Sequence, residues 1–95
     1  MQRETVLARL RTHKQKFVDT YGVTRLGIFG SVARNQSTAD SDVDVIVEMP
    51  PDLFQMVHLK EELEELLDAP VDLIRRHKYL NAYLKSRIDD EAVYV

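Results

Sequence analysis

Residues 41–48 read SDVDVIVE and residues 71–74 read VDLI, and these two stretches set the fold. Both are apolar, rich in β-branched side chains and carry aspartate near their start, which predicts two buried strands. Between them, residues 52–67 carry apolar side chains at helical spacing beside a glutamate-rich face. A strand, a helix and a strand in this order predict a right-handed crossover with the two strands parallel in one sheet.

The crossover also predicts where three acidic side chains lie. Parallel strands begin at the same edge of a sheet, so Asp42 and Asp72 are expected to lie close together. Asp42 and Asp44 are two residues apart on one strand and are expected to point to the same face. The pattern therefore predicts three carboxylates at one edge of the sheet.

The rest of the chain supplies further helices and a strand. Apolar residues at helical spacing predict an amphipathic helix over residues 3–20. Leu26 to Phe29 form a short apolar run that predicts a strand, in which Gly27 lets a neighbouring backbone approach. A last helix is predicted from about Leu80 to Ile88, before an apolar tail over residues 92–95.

Local signals predict where these elements begin and end. Gly30-Ser31 breaks the first strand, and Ser31 is expected to cap a short helix that runs through Arg34. Residues 35–41 are polar and predict a loop. Asp52 follows two prolines and is expected to be the N-cap of the long central helix.

Length and composition agree with one small soluble domain. The chain has 95 residues, of which 44% are hydrophobic and 31% charged. We predict a single domain over residues 1–95, of the α/β class (α+β type), with a small mixed sheet flanked by helices. There is no cysteine, which excludes disulfides and thiolate-bound zinc. No stretch approaches the roughly 20 apolar residues of a membrane span, and a cytoplasmic protein without a membrane partner is expected.

The net charge of -3 hides a strong separation of charge along the chain. Residues 1–25 carry a net charge of +4, whereas residues 38–72 carry -10. Such an acidic middle repels nucleotides and nucleic acids unless divalent cations intervene. Nucleic acid is therefore not expected as a direct partner.

Asp42, Asp44 and Asp72 are the candidate metal ligands and catalytic residues. Three adjacent carboxylates disfavour one another's ionisation, and a cation removes that cost. Mg²⁺ prefers hard oxygen ligands and is held by one or two carboxylates together with substrate phosphates. The pattern predicts Mg²⁺, with two ions serving the attacking and leaving oxygens.

Gly30, Ser31 and Arg34 are the candidate nucleotide-binding residues. A glycine turn at a helix start presents backbone N–H groups to phosphate oxygens, and Ser31 adds a hydroxyl donor. Arg34 is placed to approach a phosphate, although an exposed arginine at a helix end is often simply solvated. A phosphate-holding turn facing a metal site favours transfer of a nucleotide from a triphosphate.

Two other chemistries of paired aspartates fit the sequence less well. Residues 40–44 imitate the start of an EF-hand, but Val45 stands where the loop needs glycine and Pro51 where it needs glutamate. A phosphatase with an aspartate nucleophile would carry it after an apolar strand, whereas here the pair precedes one.

The motifs GSVAR (30–34), SDVDVIV (41–47) and VDLI (71–74) resemble the signature of the minimal nucleotidyltransferase (MNT) family, within the DNA polymerase β-like nucleotidyltransferase superfamily. The resemblance extends over nearly the whole chain. It implies a nucleotidyltransferase domain in which Gly30 and Ser31 hold the triphosphate, Asp42 and Asp44 bind Mg²⁺, and Asp72 helps to activate the acceptor hydroxyl. Asn35 departs from the glycine common after the Ala-Arg pair, which affects the loop only.

The resemblance also implies a biological role. Members of this family resemble antitoxins that pair with a helical HEPN-domain RNase toxin and transfer AMP from ATP to a toxin tyrosine. The expected function is thus that of the antitoxin in a type VII-like module, working in a hetero-oligomer. Two alternatives remain: neutralisation by binding alone, and transfer to RNA or to a small-molecule hydroxyl.

Overall fold

The computed structural model describes residues 1–38 and 41–95, and its elements follow the predicted order. They are α1 (Arg3–Tyr21), β1 (Arg25–Phe29), α2 (Gly30–Ala33), β2 (Val43–Glu48), α3 (Leu53–Leu67), β3 (Val71–Arg75), α4 (Ala82–Glu91) and β4 (Val93–Tyr94). The predicted loop over 35–41 includes Ala39 and Asp40, which lie outside the described residues. The α/β architecture predicted from the sequence is confirmed.

The strands form one mixed sheet in the order β3-β2-β1-β4. The pairing of β2 with β3 is parallel, as the crossover predicted, while β1 is antiparallel to both β2 and β4. In the parallel pair, Val43 lies opposite Val71 and Asp44 opposite Asp72. Asp44, rather than Asp42, is therefore level with Asp72, because Asp42 precedes the first residue of β2.

Side-chain alternation along β2 builds two hydrophobic cores. Val43, Val45 and Val47 point to the face covered by α1 and α3, where the larger core lies. Ile46 points to the opposite face and packs with Phe29 and with Ile88 of α4. Both faces of β2 are covered, which explains why its sequence is an apolar run and not a simple alternation.

The helix caps agree with the sequence in one case and differ in another. Asp52 is the N-cap of α3, and its side chain accepts a hydrogen bond from the Gln55 backbone at 3.1 Å. Ser31 does not cap α2: the N-cap is Phe29, and Ser31 lies inside the helix. That prediction was wrong because Gly30 itself begins the helix, turning the chain directly out of β1 with a φ of +73°.

The apolar tail after α4 forms a strand that the sequence did not reveal. β4 pairs antiparallel with β1, with Gly27 opposite Tyr94 and Ile28 opposite Val93. A β-carbon at Gly27 would lie 2.6 Å from the Val93 carbonyl oxygen. The prediction that Gly27 permits a close backbone approach is thus confirmed. Among the helices of the described ranges, none is long and apolar enough to cross a membrane.

Candidate active site

The predicted acids lie at the starts of β2 and β3, on the face of the sheet that α4 covers. Asp44 and Asp72 are paired across the two strands, and both precede by two residues an isoleucine that packs beneath α4. Asp44 is half-buried, whereas Asp72 and Asp42 are exposed. The structure therefore brings Asp44 and Asp72 together, and Asp42 lies just before the first residue of β2.

The electrostatics of Asp44 distinguish it from the other acids. Burial raises the pKa of its carboxyl above the ordinary value, and the charge of Asp72 raises it further. Asp42 and Glu91 add smaller contributions of the same sign, while the nearby charge of Arg87 acts in the opposite direction. Among the described residues, none of the three aspartates belongs to an ion pair. Asp44 thus carries a charge that its surroundings disfavour.

These acids offer the right donor atoms for a hard divalent cation, although they do not form a finished cage. Within residues 1–38 and 41–95, no group of three or more His, Cys, Asp or Glu side chains is arranged to hold a metal ion. Mg²⁺ needs less than such a cage, because one or two carboxylates suffice when substrate phosphates and water complete its shell. A cation would also offset the repulsion that raises the Asp44 pKa. The ligand set of Asp42, Asp44 and Asp72 remains a prediction.

Gly30 presses its backbone against Asp44. Its φ of +73° lies in the left-handed region, which favours glycine. A β-carbon built on Gly30 would overlap the Asp44 Oδ2 atom, so any other residue would displace that carboxylate. The glycine turn and the half-buried acid are therefore in direct contact, as the sequence motif required.

The first turn of α2 presents backbone N–H groups beside this acid. The Gly30 N–H donates to the Glu91 Oε2 atom at 3.1 Å. Ser31 and Val32 follow in the first turn, where backbone N–H groups have no acceptor within the helix. Val32 is buried in the core and Ser31 is half-buried, so Ser31 is the residue of this turn whose N–H and hydroxyl an anion can approach.

Arg34 is exposed, and it also has a partner that the sequence did not predict. Its Nη1 atom lies 2.7 Å from Glu91 Oε1. Arg87 approaches the other carboxylate oxygen at 3.6 Å. No role was predicted for Glu91 or Arg87 from the sequence, because the last helix was predicted to end at about Ile88, whereas α4 continues to Glu91 and places the two residues four apart on one helix.

Comparison with known proteins identifies the family. Residues 10–95 match the family profile described as Nucleotidyltransferase domain. A relative from Methanocaldococcus jannaschii, named as a candidate protein adenylyltransferase, is 36% identical over 88 residues, covering 90% of each chain. The protein adenylyltransferase MntA of Thermococcus cleftensis is 35% identical over 94 residues, covering 97% of this chain and 94% of its own.

Solved structures show the same fold. A structure named as a candidate minimal nucleotidyltransferase superposes with a TM-score of 0.80 at 32% identity, covering 98% of this chain and 95% of its own. An MNT antitoxin in complex with the tri-AMPylated HEPN toxin of Shewanella oneidensis gives a TM-score of 0.69 at 16% identity, covering 98% of this chain and 71% of its own. A toxin-antitoxin structure with AMP-PNP gives a TM-score of 0.70 at 19% identity, covering 99% of this chain and 72% of its own. The chain therefore belongs to the family of nucleotidyltransferase domains, and it is a nucleotidyltransferase with the minimal fold that its sequence resembled.

Proposed function

We propose that this protein transfers AMP from ATP to a tyrosine hydroxyl of a HEPN-domain toxin and so acts as the antitoxin of a two-component module. The observation that carries the proposal is the contact between the Gly30 turn and Asp44, with Asp72 paired beside it. This arrangement brings a donor surface for phosphate next to a group of carboxylates. Transfer of a nucleotide from a triphosphate uses both.

Asp42, Asp44 and Asp72 are assigned as the ligands of Mg²⁺ and as the catalytic acids. When bound, Mg²⁺ would neutralise charge on the phosphates and polarise the reacting oxygens. Asp44 supports this assignment best, because its half-buried carboxylate lies among like charges that raise its pKa. Asp72 is exposed on the neighbouring strand, beside Asp44, where an incoming acceptor hydroxyl can reach it.

Gly30, Ser31 and Arg34 are assigned to the triphosphate. The backbone N–H and the hydroxyl of the half-buried Ser31 supply two neutral donors. Arg34 contributes positive charge at the end of α2, although in this structure it is paired with Glu91. The positive charge matters because Asp42, Asp44 and Asp72 would otherwise repel the phosphates.

The nature of the acceptor rests on the relatives. MntA of Thermococcus cleftensis carries the name protein adenylyltransferase, and the Shewanella oneidensis complex contains a HEPN toxin that is tri-AMPylated. This chain has the same fold as the antitoxin of that complex. Its acidic residues 38–72 also disfavour a nucleic-acid acceptor. A partner protein that carries its own acceptor hydroxyl fits these observations.

The test is intact-mass spectrometry of a candidate HEPN-domain partner protein, after its incubation with this protein, ATP and Mg²⁺. Wild type is expected to add one or more AMP units to a tyrosine, and the Asp42→Asn/Asp44→Asn double variant to add none. Glu62→Gln, on the far face of the sheet, is the matched control and should transfer normally.

Other outcomes of this experiment decide against the proposal. Absence of added AMP with wild type, or equal addition by the double variant, would refute transfer by these acids. If the double variant neutralised the toxin RNase activity without modifying the toxin, the protein would act by binding and occluding the toxin. Labelled AMP found in RNA or in a small alcohol would show that the acceptor is not a partner protein.

A further inference from the structure

We infer that Glu91 is a positioning residue of the nucleotide site: its carboxylate holds the Gly30 backbone and the Arg34 side chain, and so keeps the glycine turn in place against Asp44. The inference rests on the proposed function, in which this turn receives the triphosphate. It assigns a role to the end of α4, a region that the nucleotide-binding motif does not include.

Glu91 uses both carboxylate oxygens toward α2. Oε2 accepts the Gly30 N–H at 3.1 Å, and Oε1 accepts from Arg34 Nη1 at 2.7 Å. The side chain is only 19% exposed, which limits competition from water. Arg87, one turn earlier on α4, lies 3.6 Å from Oε2 and completes the charge balance around the carboxylate. One acid thus joins the last turn of α4 to Gly30, the first residue of α2, and to Arg34, its C-cap.

The side chains of Val32 and Ala33 anchor the end of the turn in the larger core, whereas Gly30 at its start depends on backbone contacts. Helix α2 spans four residues, Gly30–Ala33, too few for a helix to be stable by itself. Gly30 is in a left-handed conformation and has no side chain to anchor it. On one side it presses against Asp44, and on the other its N–H is held by Glu91. Glu91 therefore opposes movement of the turn away from the acids.

The same contact does not occupy Ser31. Glu91 takes the Gly30 N–H, while the half-buried Ser31 has a first-turn N–H group with no acceptor within the helix. A positioning role predicts that loss of the carboxylate weakens ATP binding. An autoinhibitory role, with Glu91 occupying the place of a phosphate, predicts the opposite sign. The two roles are thus separated by one measurement.

The first test measures the turn directly by amide hydrogen exchange in the NMR spectrum of the whole chain, without ATP or Mg²⁺. Wild type is expected to protect the Gly30 amide, Glu91→Ala to lose that protection, and Glu91→Gln to keep much of it, because a glutamine oxygen still accepts the bond. Asp90→Ala, an exposed carboxylate at the neighbouring position, is the control. Unchanged Gly30 exchange in Glu91→Ala would overturn the inference.

The second test measures ATP binding by calorimetry with Mg²⁺, and then KM and kcat for transfer. Glu91→Ala is expected to weaken binding roughly tenfold and to raise KM for ATP more than it lowers kcat, because the turn is disordered before ATP binds. Glu91→Gln should lose roughly threefold, through loss of the ion pairs to Arg34 and Arg87.

The outcomes separate this inference from the proposed function. Tighter ATP binding by Glu91→Ala, or binding equal to that of Asp90→Ala, would refute the positioning role while leaving transfer intact. Failure of wild type itself to bind ATP would refute the proposed function instead. Glu91→Gln covers the case in which Glu91→Ala does not fold, since it preserves size and hydrogen bonding.

Discussion

Two half-buried acids on opposite faces of the sheet have opposite environments. Glu62 of α3 accepts a hydrogen bond from the Tyr21 hydroxyl at 2.6 Å and lies 3.3 Å from Lys16 Nζ. These partners lower the pKa of Glu62, the Tyr21 hydrogen bond most of all. Asp44 has acids as neighbours, and burial together with the charge of Asp72 raises its pKa.

The difference shows which region is arranged for stability and which for chemistry. Glu62 is ionised at a net gain because each of its main neighbours favours its charge. Ionisation of Asp44 carries a cost that the charge of Arg87 offsets only in part, and such costs collect at functional sites. The contrast locates the site more precisely than the aspartate motif does. It can be tested by changing one region at a time.

The largest expected effect is the loss of transfer in Asp44→Asn. Transfer of AMP should fall by at least about a thousandfold, because loss of a metal ligand removes several kcal/mol of charge stabilisation from the transition state. Each loss of about 1.4 kcal/mol lowers the rate tenfold. Glu62→Gln should keep wild-type transfer. Single-turnover rates with saturating ATP and Mg²⁺ measure both. Comparable rates for Asp44→Asn and wild type would remove Asp44 from the site.

Gly30→Ala is expected to damage the site and the fold together. The added methyl group overlaps Asp44 Oδ2, and the left-handed backbone costs about 1–2 kcal/mol for a residue other than glycine. Urea unfolding should show that loss or more, and ATP binding should weaken. Gly22→Ala is the control, because Gly22 also has a positive φ but lies far from the acids along the sheet. Equal ATP binding by both variants would contradict a specific role for the Gly30 turn.

Tyr21→Phe is expected to affect stability alone. It removes the hydrogen bond to Glu62 and should cost about 1 kcal/mol without changing transfer. Since the pKa of Glu62 is lowered on folding, its contribution is present above the ordinary carboxyl pKa and is lost as the pH falls through the lowered value. Urea unfolding from pH 7 to pH 3 should therefore show the two proteins converging. A constant difference across that range would argue against the hydrogen bond as the cause.

The smallest expected effect is a gain of stability in Asp44→Asn without Mg²⁺. The raised pKa of Asp44 means that its ionisation opposes folding, a penalty absent at low pH that develops as the pH rises through the folded pKa. Asparagine removes this penalty, so the Tm of Asp44→Asn is expected to exceed that of wild type. Calorimetry at pH 7 should show the gain and at pH 3 should not. Added Mg²⁺ should raise the Tm of wild type more than that of Asp44→Asn.

Much of the fold follows from patterns within single elements. The helix at 3–20, the strand at 43–48 and the Asp52 cap were predicted nearly to the residue, because hydrophobic period and capping chemistry are local. The strand at 93–94 was not, since residues 92–95 are too few for a pattern and pair only because β1 offers an edge. The prediction that Ser31 is the N-cap of α2 was wrong, because the helix begins at Gly30 and Ser31 therefore lies inside it.

The sequence by itself determined the family, the order of elements and the glycine turn followed by three aspartates, since each depends only on residue types and their spacing along the chain. Only the tertiary structure decided that Asp44 is the acid level with Asp72 and in contact with Gly30, because strand register and packing fix those distances. It also decided that Glu91, sixty-one residues from Gly30, holds the turn. Contacts between distant residues depend on how α4 folds back over the sheet, and no local pattern encodes that approach.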